Sequence, residues 1–268
     1  MLKARILTAL AVAPPVLAVM FLAPPFLFEA LVGAVIIGAA WEWSGLMGCA
    51  SRIGRVLYTL VVAMLVIAAG VWMADDSRAF TYLIVVSLAW WAFAFAWLAI
   101  GPARQPGTAI AGLCGVLTLV PAFAALTALH AWDEFGPWRL LYLLALVWLA
   151  DIGAYFFGRA FGRTKLAPRV SPGKTWEGVA GAFVVAALVI TAGFYFSLDF
   201  GGPVAFAVFS LATVALSIVG DLAESMFKRH QGVKDSGTLL PGHGGLLDRI
   251  DSLTSAGPLF VGGMLWLA

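Results

Sequence analysis

The chain has 268 residues, of which 62% are hydrophobic and 11% charged, against roughly a quarter charged in a soluble domain. That excludes a water-soluble globule, and at ~20 apolar residues per ~30 Å crossing it leaves room for at most about a dozen spanning helices. Long apolar runs such as 83–100 exclude a β-barrel, and a net charge of +2, from 16 basic and 14 acidic residues, points to no nucleic-acid partner.

The expected fold is all-α: a polytopic integral membrane protein of about nine transmembrane helices, forming one membrane-embedded domain over residues 1–268. Apolar stretches lie near 6–23, 26–47, 56–74, 79–100, 108–130, 138–158, 177–198, 203–221 and 253–268. The first follows Lys3 and Arg5 and resembles a secretory signal with a cleavage site at 11–13, but Pro14, Pro15 and the similar stretches that follow favour an uncleaved span. Short Gly- or Pro-bearing connections, as at Pro24-Pro25, Gly101-Pro102 and Gly136-Pro137, suit antiparallel neighbours. Trp41, Trp43, Trp90, Trp91, Trp97, Trp132 and Trp138 are expected to anchor at the interfaces or pack. Cys49 and Cys114 read as packing residues, and His130 and His230 as surface residues.

With the N-terminus in the cytoplasm and nine alternating spans, the loops near 48–55, 101–107, 159–176 and 222–252 face inward. Fourteen of the 16 basic residues are then cytoplasmic, leaving only Arg78 and Arg139 outside. The positive-inside bias therefore sets the orientation and places the C-terminus outside.

The N-terminal half, to about residue 135, reads mainly as scaffold; polar residues crowd the last two cytoplasmic loops. Asp151 is expected about 10 Å inside the membrane, seven residues before its helix ends, and a carboxylate at that depth is functional or held in a structural ion pair. Glu42, within Ala40-Trp-Glu-Trp43, is similarly placed, with structure and function equally open. Asp248 and Asp251 are three apart and share a helix face, and Asp221 ends the preceding span at the same level. Gathered carboxylates repel unless a cation holds them, and all-oxygen ligands favour a hard ion, Mg²⁺ first. An ion-pair cluster around Arg249 is the alternative. Lys174, Lys228, Arg229 and Lys234 interleave with Gly, Ser and Thr, the ingredients that hold a polyphosphate. Gly173-Lys174-Thr175 is no P-loop, because Pro168 stands where its first glycine is needed. His243, flanked by glycines beside the acidic cluster, is a phosphate donor, a proton carrier or a packing residue.

The run 225–251 carries Ser-x-x-Lys-Arg, Lys-Asp, Pro-Gly-His-Gly-Gly and Asp-Arg-x-Asp, preceded by Asp-x-Gly-Ala-Tyr at 151–155 and Lys-Leu-Ala-Pro-x-Val-Ser-Pro-Gly-Lys-Thr-Trp-Glu-Gly at 165–178. It resembles the signature of the phosphatidate cytidylyltransferase (CDP-diacylglycerol synthase) family, bacterial branch, and the resemblance covers essentially the whole chain. It implies condensation of CTP with phosphatidic acid to CDP-diacylglycerol and pyrophosphate, assisted by Mg²⁺ or a similar divalent ion, at the cytoplasmic face of a bacterial inner membrane. On this basis Asp221, Asp248 and Asp251 are expected to bind metal, with Asp151 supporting the site or acting on the metal through water. Lys174, Ser171 and Thr175 would meet a phosphate, and Lys228, Arg229, Lys234 and His243 the triphosphate or pyrophosphate. Lys165, Ser225 and Asp235 complete the expected substrate-binding set. Oligomeric state stays open, a homodimer included. An ion-coupled transporter with Asp151 and Asp221 lining its pathway, or a transferase with a prenyl-phosphate acceptor, are the rival readings.

Overall fold

A computed structural model describes residues 14–101, 106–239 and 244–267. Residues 14–22 are helical, followed by α1 (Pro25–Leu46), α2 (Arg52–Asp75), α3 (Ser77–Ile100), α4 (Thr108–His130) and α5 (Gly136–Phe161). A two-stranded antiparallel hairpin, β1 (Lys165–Ala167) and β2 (Ser171–Thr175), leads into α6 (Trp176–Tyr195). The chain continues through α7 (Pro203–His230), a 3₁₀ turn (Leu247–Arg249) and α8 (Asp251–Leu267).

Among the described residues seven helices, α1 to α7, are long and apolar enough to cross a membrane. The chain is an all-α polytopic membrane protein with one short hairpin. The ninth expected span is α8, a helix of 17 residues interrupted by Pro258 and buried on nearly every side. It packs against α3, α4, α5 and α7 and forms the centre of the bundle. The start of the first expected span, with Lys3 and Arg5, and Arg104 in a later loop, lie outside the described residues.

Two helix pairs position the polar residues. α5 and α6 run antiparallel in close contact because glycines face each other across the seam. A Cβ at Gly153 would stand 2.8 Å from the Gly181 carbonyl, and one at Gly181 would collide with Phe157. Small residues let apolar helices approach closely where hydrophobic burial alone offers no preference for protein over lipid. The seam holds the hairpin at one end, where Thr175 Oγ1 accepts from Gly178 N at 3.1 Å and caps α6.

The second pair, α7 and α8, departs from the expected spans. α7 does not stop at Asp221 but runs on to His230, placing Lys228, Arg229 and His230 in its last turn, where cations suit the helix dipole. It ends in a left-handed glycine cap: Gly232 has φ +68°, Gly232 N donates to Arg229 O, and Val233 N donates to Lys228 O.

One expectation on an individual residue changes, that for His130, and others are resolved. His130 is buried, its Nε2 2.8 Å from the Met20 carbonyl and its ring stacked on Phe28. Trp43, Trp90 and Trp91 are core residues rather than belt anchors, while Trp138 is exposed. Cys114 is buried and Cys49 half-buried, both as free thiols.

If the glycine seam sets the α5–α6 approach, Gly181→Leu should lower the thermal midpoint of the detergent-solubilised protein, overpacking costing about 1–3 kcal/mol. Val184→Ala, on the same helix but exposed, should leave the midpoint unchanged.

Candidate active site

Continuation of α7 past Asp221 is what assembles the site. Asp221, Glu224, Ser225 and Lys228 follow at i, i+3, i+4 and i+7 and so share one face of a single helix. Four other elements bring charged groups to that face. β2 supplies Lys174, whose Nζ lies 2.6 Å from Asp221 Oδ2. α5 supplies Asp151, within electrostatic range of both Asp221 and Lys174. The 3₁₀ turn supplies Asp248, and the first residue of α8 is Asp251, beside Asp221, Glu224 and Lys228.

The site has a rim and a floor. At the rim, Lys174 and Asp221 keep about a quarter of their side-chain surface open (26% and 27%), and Asp151 is exposed. Ser225 Oγ donates to Asp221 Oδ1 at 3.2 Å, which orients the carboxylate. In the floor, Lys228 is 7% exposed and bridges Asp248 Oδ1 at 2.6 Å and Glu224 Oε1 at 3.4 Å. Glu224 is 3% exposed, and neither of its oxygens accepts a hydrogen bond. Beneath Glu224 and Asp251 lie the rings of Trp43, Trp90, Trp91 and Phe227, an apolar base that keeps the local dielectric low.

Asp248 is engaged on both oxygens. Oδ2 accepts from Ser236 N at 2.9 Å and Gly245 N at 2.8 Å, while Oδ1 holds Lys228. Burial pushes its carboxyl up, but the Lys228 ammonium and the two amides outweigh that and hold it below the ordinary carboxylate range. The carboxylate thereby ties Ser236 and Gly245 to α7. The triad expected to bind metal, Asp221, Asp248 and Asp251, is accordingly split: Asp248 serves Lys228 and backbone amides, and Asp221 serves Lys174. Among the described residues no three carboxylate, imidazole or thiol side chains close around one point; Lys174 pairs with Asp221, and Lys228 is shared by Glu224 and Asp248.

Other expected residues lie at the edge. Thr175 is buried as the α6 cap, so its hydroxyl accepts from the helix rather than meeting a phosphate. Arg229 Nε donates to the Val170 carbonyl and Nη1 to that of Val233, which lashes the hairpin turn to the end of α7. Lys165, Lys234 and Asp235 are exposed, and Ser171 is half-buried opposite Ala167 in the hairpin. His243 lies outside the described residues.

Two residues that the sequence reading did not assign to the site belong to its architecture. Glu224 stands in the floor; its signal was the Asp-x-x-Glu-Ser-x-x-Lys spacing, which has meaning only once the segment is helical. Glu42, on α1, accepts from Leu247 N at 2.8 Å and Ser236 Oγ at 3.0 Å through Oε2.

An apolar groove of about 640 Å³ lies elsewhere, between α5 and α6, lined by residues such as Trp138, Tyr142, Leu188 and Phe196, with no charged group in its lining to hold an anion. What the rim and floor can do is hold phosphates. The open rim lysine, Lys174, can exchange the Asp221 carboxylate for a phosphate oxygen, while Lys228 stays fixed by its acids and supplies charge from below. Since Lys228 is the counter-ion of two buried acids, Lys228→Met should destabilise the protein by about 3–5 kcal/mol, as loss of one partner of a buried pair does. Lys174→Met, at the open rim, should lower the unfolding midpoint far less.

Comparison with known proteins agrees with this arrangement. A phosphatidate cytidylyltransferase of Pseudomonas aeruginosa is 42% identical over 278 positions, covering 100% of this chain and 98% of that protein. One of Haemophilus influenzae is 40% identical with 97% of each chain covered. One of Bacillus subtilis is 46% identical over 123 residues, 45% of each. The pattern of the Cytidylyltransferase family matches residues 3–265, so that all the charged elements of the site lie within it, and the chain belongs to that family.

Proposed function

We propose that the protein transfers the cytidylyl group of CTP to phosphatidate, forming CDP-diacylglycerol and releasing pyrophosphate. The observation that carries this reading is the joining of Lys174 and Lys228 to Asp151, Asp221, Glu224 and Asp251 at one end of an apolar bundle, in a chain that matches phosphatidate cytidylyltransferases along its whole length. A phosphate oxygen of the lipid attacks the α-phosphorus of CTP, a new P–O bond forms, and the bond to the bridging oxygen of pyrophosphate breaks. The lipid phosphate is itself the nucleophile, so the protein has to bring two polyanions together and neutralise them.

The rim residue Lys174 suits the first contact with an incoming phosphate, since it is accessible and its present partner Asp221 can be released to Ser225. Lys228, fixed by Asp248, supplies positive charge from below. Asp151 orients Lys174 from the side of α5. A divalent cation such as Mg²⁺ matches the donor chemistry: Glu224 is buried with the Lys228 ion pair on Oε1, and Asp221 and Asp251 carry carboxylates to the same face. These three do not converge on one point as they stand, so they would have to draw together to hold the ion, which would then neutralise phosphate oxygens and make the α-phosphorus more electrophilic.

The bacterial relatives and the apolar helices fit an inner membrane. The excess of Lys and Arg at the site's end supports a cytoplasmic face, open to CTP from the cytosol and to phosphatidate from the adjoining leaflet.

Incubation of the purified protein with α-labelled CTP, phosphatidate and Mg²⁺ should place label in the lipid phase; a folded preparation that labels no lipid refutes the activity. Asp221→Asn, Glu224→Gln and Lys174→Met should each lower kcat/KM by about 10²–10³-fold, and Arg163→Gln should stay within twofold. Equal tolerance of all four would contradict the assignment. For topology, a phosphatase reporter fused after Ala268 should be active, reporting the periplasm, and an inactive fusion with a stable protein would reverse the orientation of α8.

A further inference from the structure

Glu42 is the one acid of the N-terminal scaffold that reaches the polar end of the bundle, 2% exposed and held on a helix pinned on both sides of it. Trp43 Nε1 donates to the Ala111 carbonyl of α4 at 2.9 Å. Arg55 of α2 donates to Ser44 Oγ at 2.9 Å and to the Trp41 carbonyl at 3.1 Å, with its guanidinium 4.4 Å above the Trp41 ring. The Ala-Trp-Glu-Trp motif therefore builds a rigid mount, and what the mount presents is one carboxylate.

That carboxylate meets the segment between α7 and α8 rather than the phosphate-holding lysines. Oε2 takes Leu247 N and Ser236 Oγ, the two ends of the segment. Ser236 N and Gly245 N then both point at Asp248, which in turn fixes Lys228. Gly237 and Gly245 lie so close to Glu42 that side chains are barred there. A Cβ on Gly245 would stand 2.6 Å from Oε2, and one on Gly237 would collide with Oε1.

We infer that Glu42 is a positioning residue for the transfer reaction: acting through Ser236 and Leu247, it sets residues 236–239 and 244–247 and, by way of Asp248, the Lys228 ammonium at which CTP is received. The inference rests on the activity proposed above. Reach and acceptor geometry are what this role requires, because the oxygen that works is Oε2 and it meets only N–H and O–H donors. A role as metal ligand or general base would instead require the negative charge.

The two requirements are separated by Glu42→Gln and Glu42→Asp. The glutamine keeps an acceptor at the same reach without charge; the aspartate keeps the charge one methylene short. With the full-length protein in lipid micelles, Glu42→Gln should retain kcat and both KM values within about threefold. Glu42→Asp should raise the KM for CTP tenfold or more, with the KM for phosphatidate unchanged. Amide hydrogen exchange over 236–247, measured without substrate, should speed up in the aspartate and not in the glutamine variant. Ser236→Ala should shift the KM for CTP in the same direction, and added to Glu42→Asp should cause no further loss. The aspartate variant performing as well as or better than the glutamine, losses shared equally by both substrates, or unchanged exchange over 236–247 would overturn the inference. The exchange measurement stands independently of turnover, so absence of cytidylyl transfer in the unsubstituted protein refutes the proposed activity without being mistaken for failure of the Glu42 linkage.

Discussion

The structure depends on how a handful of buried carboxylates are neutralised. Lys228, almost wholly enclosed, is shared by Glu224 one turn before it and by Asp248 twenty residues after it. A buried ion pair adds little net stability compared with apolar packing, but a partner removed leaves a charge that is costly to hold in low dielectric. Once Lys228 faces inward, α7 must continue to carry it there, and Asp248 must be brought over it. The amides of Ser236 and Gly245 must then close on Asp248, and α1 must supply Glu42 to anchor Ser236 and Leu247. The scaffold half and the chemical half of the chain are thereby joined through a short run of hydrogen bonds.

The division into floor and rim follows from the same constraint. Acids and lysine in the floor are fixed by their partners and lie over tryptophan and phenylalanine rings, where nothing reorganises cheaply. At the rim, Lys174 comes from a hairpin carried on the α5–α6 seam and meets Asp221 where both remain open. Charge fixed below and exchangeable above suits a reaction in which two anions approach and one departs. Nothing in the arrangement asks for a covalent protein nucleophile. Ser225, whose hydroxyl lies in the site, uses it to orient Asp221.

The membrane-embedded character and most helix bounds were legible in the sequence, because a run of apolar residues bounded by Gly, Pro or charge has few other uses. α4 occupies 108–130, the expected stretch, and α1 to α3 differ from expectation by a few residues at their ends. The extent of α7 was not legible. Hydropathy treats Glu224 and Lys228 as loop residues, whereas a helix can carry such residues inward when they satisfy one another. The capping role of Thr175 and the burial of His130 were hidden for a related reason: each depends on a partner distant in space or on the precise helix start. Spacing had brought Asp248 and Asp251 together as ligands, but geometry gives Asp248 to Lys228 and to backbone amides. Glu42 was visible as a buried acid, but its use required the fold.

This centre acts by position and charge alone, the lipid phosphate attacking CTP directly. The stereochemistry at phosphorus tests it most directly. With a CTP analogue made chiral by sulfur substitution at the α-phosphorus, a single in-line displacement must give CDP-diacylglycerol of inverted configuration, and inversion is the predicted result. Retention would require two successive displacements through a cytidylyl group bonded to the protein, with Ser225 the obvious carrier, and would contradict the account.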